Sequence, residues 1–276
     1  MSEQGIQIDS IHVTPDQLQD YDWAKDRLTV NVIPMDRNEE MLKGVPHEQM
    51  ADMAIVYRID VDPTNETRGT VLIDNTVMEQ LGVTPDQLHH DALENAEKVR
   101  PPQISTMGEM LGSMMGGIMD FTPDDPINQI LVATTRDSFH GAGVIAYPDF
   151  MDKAAEKVGG DFYLLPSSIH EVILVPDRDD LNARQLGEMV RSVNAAEVRP
   201  EEQLSDGAYH YDSQEHIFEK AESFEERQAA KSAAEHETSD GRESVIAGLK
   251  ERKTEGSREQ HTTPEHHPHN RGGEAI

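Results

Sequence analysis

No cysteine occurs anywhere in the 276 residues. That excludes disulfides, thiolate zinc sites, iron–sulfur clusters and cysteine nucleophiles, and it fits a reducing compartment, with the cytoplasm as the expected location. Aromatic residues make up only 5% of the chain and apolar residues 36%, below the usual share of a globular domain. Such dilution arises when an ordinary core is averaged with a polar tail. No apolar run approaches the roughly 18 residues that a membrane-spanning helix needs, and the uncharged stretch at 110–119 is short and broken by glycine and serine. The first ten residues lack the basic patch and apolar core of a secretory signal. Phosphate-binding loops are missing, since Gly141-Ala142-Gly143 reads as the opening of a strand rather than of a helix. The zinc-peptidase motif is missing too: four residues after His47 stands Ala51, and four after His170 stands Leu174.

What the chain has in excess is negative charge, with 53 acidic residues against 24 Lys and Arg and a formal net of −29. From Phe224 onward there are 11 acids and 8 bases, so −26 belongs to the first 223 residues. A surface of that sign repels phosphate backbones, so direct nucleic-acid binding is not expected. It suits solubility or a protein partner with a basic surface.

Residue order predicts an α+β protein of β-hairpins and short antiparallel sheets packed with helices. Period-2 or apolar runs mark strands at 27–33, 53–59, 70–73, 130–134, 143–147, 161–166, 169–176 and 208–211. Helices are expected at 38–42, at 77–81 with Asn75 as cap, and from a Thr84–Gln87 capping box to 99. Further helices are expected at 150–158, ended by Gly159-Gly160, and at 181–198, with Leu186, Met189, Val190 and Val193 on one face. The domain limits read as a flexible segment at 1–25, a globular domain at 26–223 and a disordered, His-rich tail at 224–276. Within the domain, sub-lobes 26–103 and 127–223 would be joined by a Met- and Gly-rich segment. Strand, turn, glycine, strand, helix and glycine recur in that order from Ile55 and again from Ile130. That order fits either a duplication into two similar lobes or the ordinary grammar of hairpin-plus-helix folds.

The Met-rich segment at 106–119 holds five of the 13 methionines, with Met107, Met110 and Met114 on one helical face. A loosely packed helix lying on a sheet is the reading adopted; the alternative is an adaptable groove for an apolar peptide. The densest reactive cluster is the turn holding Ser167, Ser168, His170 and Glu171. A serine nucleophile with a histidine base, or a His–Glu proton-transfer pair, would use these residue types. Against catalysis, neighbours in an extended chain face opposite ways, and the glycine-flanked elbow of hydrolases is absent. Turn hydrogen bonds from Ser167 and Ser168, with His170 orienting the hairpin, account for the same residues. No cofactor site is expected. On a helix His89, His90 and Asp91 diverge by about 100° each, so no shared metal is expected there, and the tail histidines His261, His266, His267 and His269 offer only adventitious metal binding.

Residues 52–58, the run Gly141 to Tyr147, and above all Leu165-Pro166-Ser167-Ser168-Ile169-His170-Glu171 resemble a bacterial family catalogued as a domain of unknown function, number 5688. Val193-Asn194, Leu204-Ser205-Asp206 and Tyr209 are similar to its C-terminal pattern. The resemblance spans about 28–218 and implies an occurrence in gut anaerobes and an association with mobile genetic elements. It implies no activity, cofactor or catalytic residue, and the tail after Lys220 departs from it. Two expectations follow: an accessory or interaction protein that holds a protein partner (a basic surface or an apolar peptide), or a small hydrolase or transferase centred on Ser167, Ser168, His170 and Glu171.

Overall fold

The computed structural model describes residues 13–61, 69–116, 121–122, 125–166, 168–178 and 181–234. Of the tail expected to be disordered at 224–276, residues 235–276 with the four tail histidines lie outside the described residues, as does Ser167. The chain divides into two units, Met1–Glu225 and Glu226–Ile276; of the second, residues 226–234 are described and are helical.

The first unit runs α1 (Tyr21–Lys25), β1 (Leu28–Pro34), α2 (Glu39–Leu42), β2 (His47–Met50), β3 (Met53–Asp60), β4 (Thr70–Leu72), α3 (Asn75–Leu81) and α4 (Pro85–Val99). It continues with β5 (Pro102–Thr106), α5 (Met107–Met114), β6 (Leu131–Thr135), α6 (Phe150–Val158), β7 (Phe162–Leu165), β8 (Val172–Pro176), α7 (Ala183–Glu197), β9 (Tyr209–Asp212) and β10 (Ile217–Lys220). Both sheets are antiparallel, as an α+β fold requires. In the smaller, β3 pairs with β1 on one side and with β2 and then β4 on the other. The larger has the order β10-β9-β7-β8-β6-β5. Among the described residues no helix is long and apolar enough to cross a membrane.

Strand alternation explains how the layers form. Met53, Ile55, Tyr57 and Ile59 of β3 face the main core, while Ala54 and Val56 face a small cluster closed by Leu42 and Val45. Leu131, Ala133, Phe162, Leu164, Val172 and Leu174 bring one face of the larger sheet into that same main core, where Leu88, Ala92 and Ala96 of α4 and Phe150 and Ala154 of α6 complete it. The opposite face, Tyr163, Leu165, Ile173 and Val175, is covered by Ala183, Leu186 and Val190 of α7. The core is therefore continuous between the two sheets. On α7, Met189 and Val193 point outward although their spacing suits the apolar face.

Several sequence expectations are corrected. Residues 13–25 are not a flexible leader: Asp20 caps α1 through the Asp22 and Trp23 N–H groups, Ala24 is buried, and Tyr21 donates to Asp91 at 2.5 Å. Residues 141–146 form a 3-10 helix, not a strand, so the second of the two parallel units has no second strand. The glycines explain this. A Cβ on Gly143 would lie 2.6 Å from the Val30 carbonyl, and one on Gly141 would lie 2.6 Å from the Thr135 nitrogen and overlap the Thr134 hydroxyl; the segment is pressed against β1 and β6. Asp74, not Asn75, caps α3. Strands β2, β5 and β10 are additional to those expected, and β5, which straddles residue 103, is the edge of the larger sheet. A helix begins at 221, and Phe224 stacks on His210 with ring centroids 3.4 Å apart, so order continues past 224.

Candidate functional site

The turn before β8 sits mid-sheet, because β7 and β8 are inner strands. His170 lies in a bend and Glu171 follows it, both before β8, so the opposite-face argument does not apply to them. Ser168 Oγ accepts the His170 backbone N–H at 3.0 Å, a local turn bond. The His170 carbonyl accepts from Thr134 Oγ1 at 2.7 Å, fastening the turn to β6. His140 donates its backbone N–H to His170 Nδ1 at 3.2 Å. An Nδ1 that accepts carries no proton, which fixes the tautomer with the proton on Nε2, and Nε2 faces Glu202 Oε1 at 3.4 Å. The carboxylate partner of His170 is thus Glu202, thirty-two residues on, and not its neighbour Glu171. Glu202 is held below the ordinary carboxylate range chiefly by Arg199, with His170 adding to it. Glu171 is shifted upward by burial, against a weaker downward pull from His170.

This turn abuts a polar joint between the two sheets. His140 has a left-handed backbone, φ 51°, and packs edge-on against Phe139 with centroids 4.2 Å apart. With its amide oriented to satisfy both neighbours, Asn31 of β1 accepts from His140 Nδ1 and from Arg58 Nε, each at 3.1 Å. Burial, reinforced by Arg58, His170 and Arg100, pushes the His140 imidazole down to about 4. Arg58 also donates to Thr70 Oγ1 at 2.9 Å. Behind it the buried Arg100 donates to Asp60 at 2.8 Å and to Asp137 at 2.6 Å. Adjacent residues in sequence give no signal for this joint, since its partners come from β1, β3, α4, the loop after β6 and the turn before β8. The unusual residues that hint at it, His140 before a Gly-x-Gly and an Asn within a strand, are individually common.

A second region lies at the β5 edge of the larger sheet. A cleft of about 650 Å³ is lined by Gln103, Ile104 and Ser105 of β5, by Met110 and Met114 of α5 and by Val132 and Thr134 of β6, with Arg136 and Lys157 at its rim. Helix α5 begins with a full capping box: Thr106 Oγ1 accepts from the Glu109 N–H, and Glu109 Oε2 accepts from the Thr106 N–H. Met114 is 76% exposed and Met115 45%. The helix expected here is present, and its Met face flanks an open cleft.

Among the described residues His90, Asp91 and Glu94 bring ligand atoms within 4.8 Å of one another. The set does not suit a metal, because Asp91 is already committed to Tyr21, Gln87 and the Lys25 ammonium. His89 instead sits 2.8 Å from the Tyr57 hydroxyl.

A family model described as "Family of unknown function (DUF5688)" matches residues 4–213. No curated protein and no solved structure matches significantly. The match covers more than half of the sequence, and the chain belongs to that family.

Proposed function

We propose that this member of the family is a cytoplasmic accessory protein of bacteria, linked to mobile genetic elements, that works by holding a protein partner rather than by catalysis. One observation carries the reading. The only lone pair a neutral His170 can offer as a base is on Nδ1, and the His140 N–H occupies it. A serine nucleophile needs that lone pair to take its proton, while Ser168 Oγ is engaged with the His170 backbone instead. The His170 ring therefore offers Ser168 no base, and the turn reads as a fastener. The exposed methionines beside the α5 cleft support binding through side chains.

The test pairs stability with function in the native host. His170→Ala is expected to cost about 1–3 kcal/mol, the usual result of stranding buried partners, and Ser168→Ala about 1 kcal/mol or less. Complementation should track those losses. If both variants melt like the wild type yet fail to complement, the fastener account is wrong and a catalytic turn takes its place.

A further inference from the structure

We propose that the cleft between α5 and the β5–β6 edge seats an apolar segment of a partner protein whose flanks carry carboxylates. The inference rests on the binding reading above and names its site and the chemistry of its partner.

The argument begins with the sheet edge. Arg136 N–H donates to the Pro101 carbonyl, and Met107 N–H to the Ile130 carbonyl. In an antiparallel ladder the bonded pairs alternate, so residues 103 and 105 face β6 while 102, 104 and 106 face outward. Each outward position is guarded. Pro102 has no N–H, the Ile104 carbonyl accepts from the Lys157 ammonium, and the Thr106 N–H is held by Glu109 at 2.8 Å. These are devices by which proteins prevent strand addition. Strand addition at this edge is opposed, and a partner here docks through side chains.

The cleft offers side chains suited to that. Val132, Met110 and Met114 give an apolar wall among the polar Gln103, Ser105, Ser113, Thr134 and Ser138, and unbranched methionines adapt to varied apolar surfaces. The rim sets the sign. In a chain of net −29, Arg136 and Lys157 place two cations here, and among the described residues no carboxylate pairs with Arg136. The cleft's own acid, Glu109, has its carboxylate turned into the helix cap. At physiological salt the screening length is about 8 Å, so distant carboxylates of the body act weakly while the rim cations act at contact. Carboxylates flanking an apolar segment complement this rim; lysines would oppose it.

Two peptides serve as probes of the full chain, labelled on its methionine methyl groups. One carries a leucine-rich core between glutamates; the other has the sequence of residues 242–253, which carries Arg242, Lys250, Arg252 and Lys253 against Glu243 and Glu251. The glutamate-flanked peptide is expected to shift the Met110 and Met114 methyl resonances and to bind at least tenfold more tightly by fluorescence anisotropy. The double variant Arg136→Glu, Lys157→Glu should reverse that order, and Met114→Asp should abolish binding. Equal or tighter binding of the basic peptide, shifts confined to methionines outside the cleft, or no binding by either peptide overturns the assignment. None of these results bears on the turn, which stands or falls with the His170 and Ser168 variants.

Discussion

Hydroxyl, imidazole and carboxylate crowd the turn before β8, yet the His170 ring is engaged at both nitrogens and the Ser168 oxygen holds a backbone N–H. The cleft beside α5 holds no comparable cluster of reactive groups: methionine and valine stand among serine, threonine and glutamine with two cations, and its Met114 lies 76% exposed. The contrast teaches that reactive residue types do not mark a functional surface. What marks it is bonding capacity left over after the fold has used its share, since buried polar groups are almost always satisfied internally.

The comparison can be broken most forcefully at Arg100. Its side chain is 4% exposed and holds Asp60, 3% exposed, together with Asp137. Arg100→Ala removes the guanidinium that Asp60 and Asp137 share, and removing one partner of a buried pair costs about 3–5 kcal/mol. Met114→Ser, in the cleft, is expected to change stability by no more than about 0.5 kcal/mol. Urea denaturation of both variants measures the difference directly. Similar losses in the two would erase the distinction between a joint that holds the fold and a surface that does not.

A smaller effect sharpens the comparison through pH. The His140 imidazole is pushed down to about 4 by burial and by its cationic neighbours, whereas an unfolded histidine titrates near about 6.5. Between those values the unfolded chain binds the proton and the folded chain does not, so stability from this group is complete above about pH 6.5 and drains away as pH falls toward 4. The shift sets a ceiling of about 3 kcal/mol, and partial solvent contact brings the expected loss to about 1–2 kcal/mol. His140→Gln should flatten this part of the stability–pH curve. A wild-type curve that stays level from pH 7 to 4.5 would show that the joint is open to water.

Much of the fold was legible because local rules decided it. The alternation in β1 and β3, the helix at 150–158 and the Thr84 cap of α4, whose hydroxyl accepts from the Gln87 N–H, all follow from neighbours in sequence. The run Gly141 to Ala146 misled because an apolar stretch with glycines looks like a strand; its glycines answer instead to the Val30 carbonyl and the Thr134–Thr135 backbone, which sequence cannot place nearby. β5 escaped notice because prolines usually end elements, yet Pro102 sits on an edge, where a missing N–H is tolerated. At the turn, the residue types were visible and the partnership was not. His140 and Glu202 stand thirty and thirty-two residues from His170, and only the fold brings them to its ring.

The smallest predicted effect falls on Glu171, the one member of the turn whose carboxyl is shifted upward, by burial. A carboxyl that holds its proton more tightly when folded than when unfolded costs stability as pH rises past its unfolded value of about 4.3. At neutral pH its ionised form is therefore a liability, offset in part by His170. Glu171→Gln keeps the shape and removes the charge, so it should raise stability at pH 7 by a few tenths of a kcal/mol, given the group's partial exposure. At pH 4, where the native carboxyl is largely protonated, the gain should vanish. Paired denaturation curves at the two pH values read this out. A loss at pH 7 instead would mean that the ionised carboxylate has a partner worth keeping. The nearest candidate is the His170 ring, and such a result would return an acid–base pair to the turn and undo its contrast with the cleft.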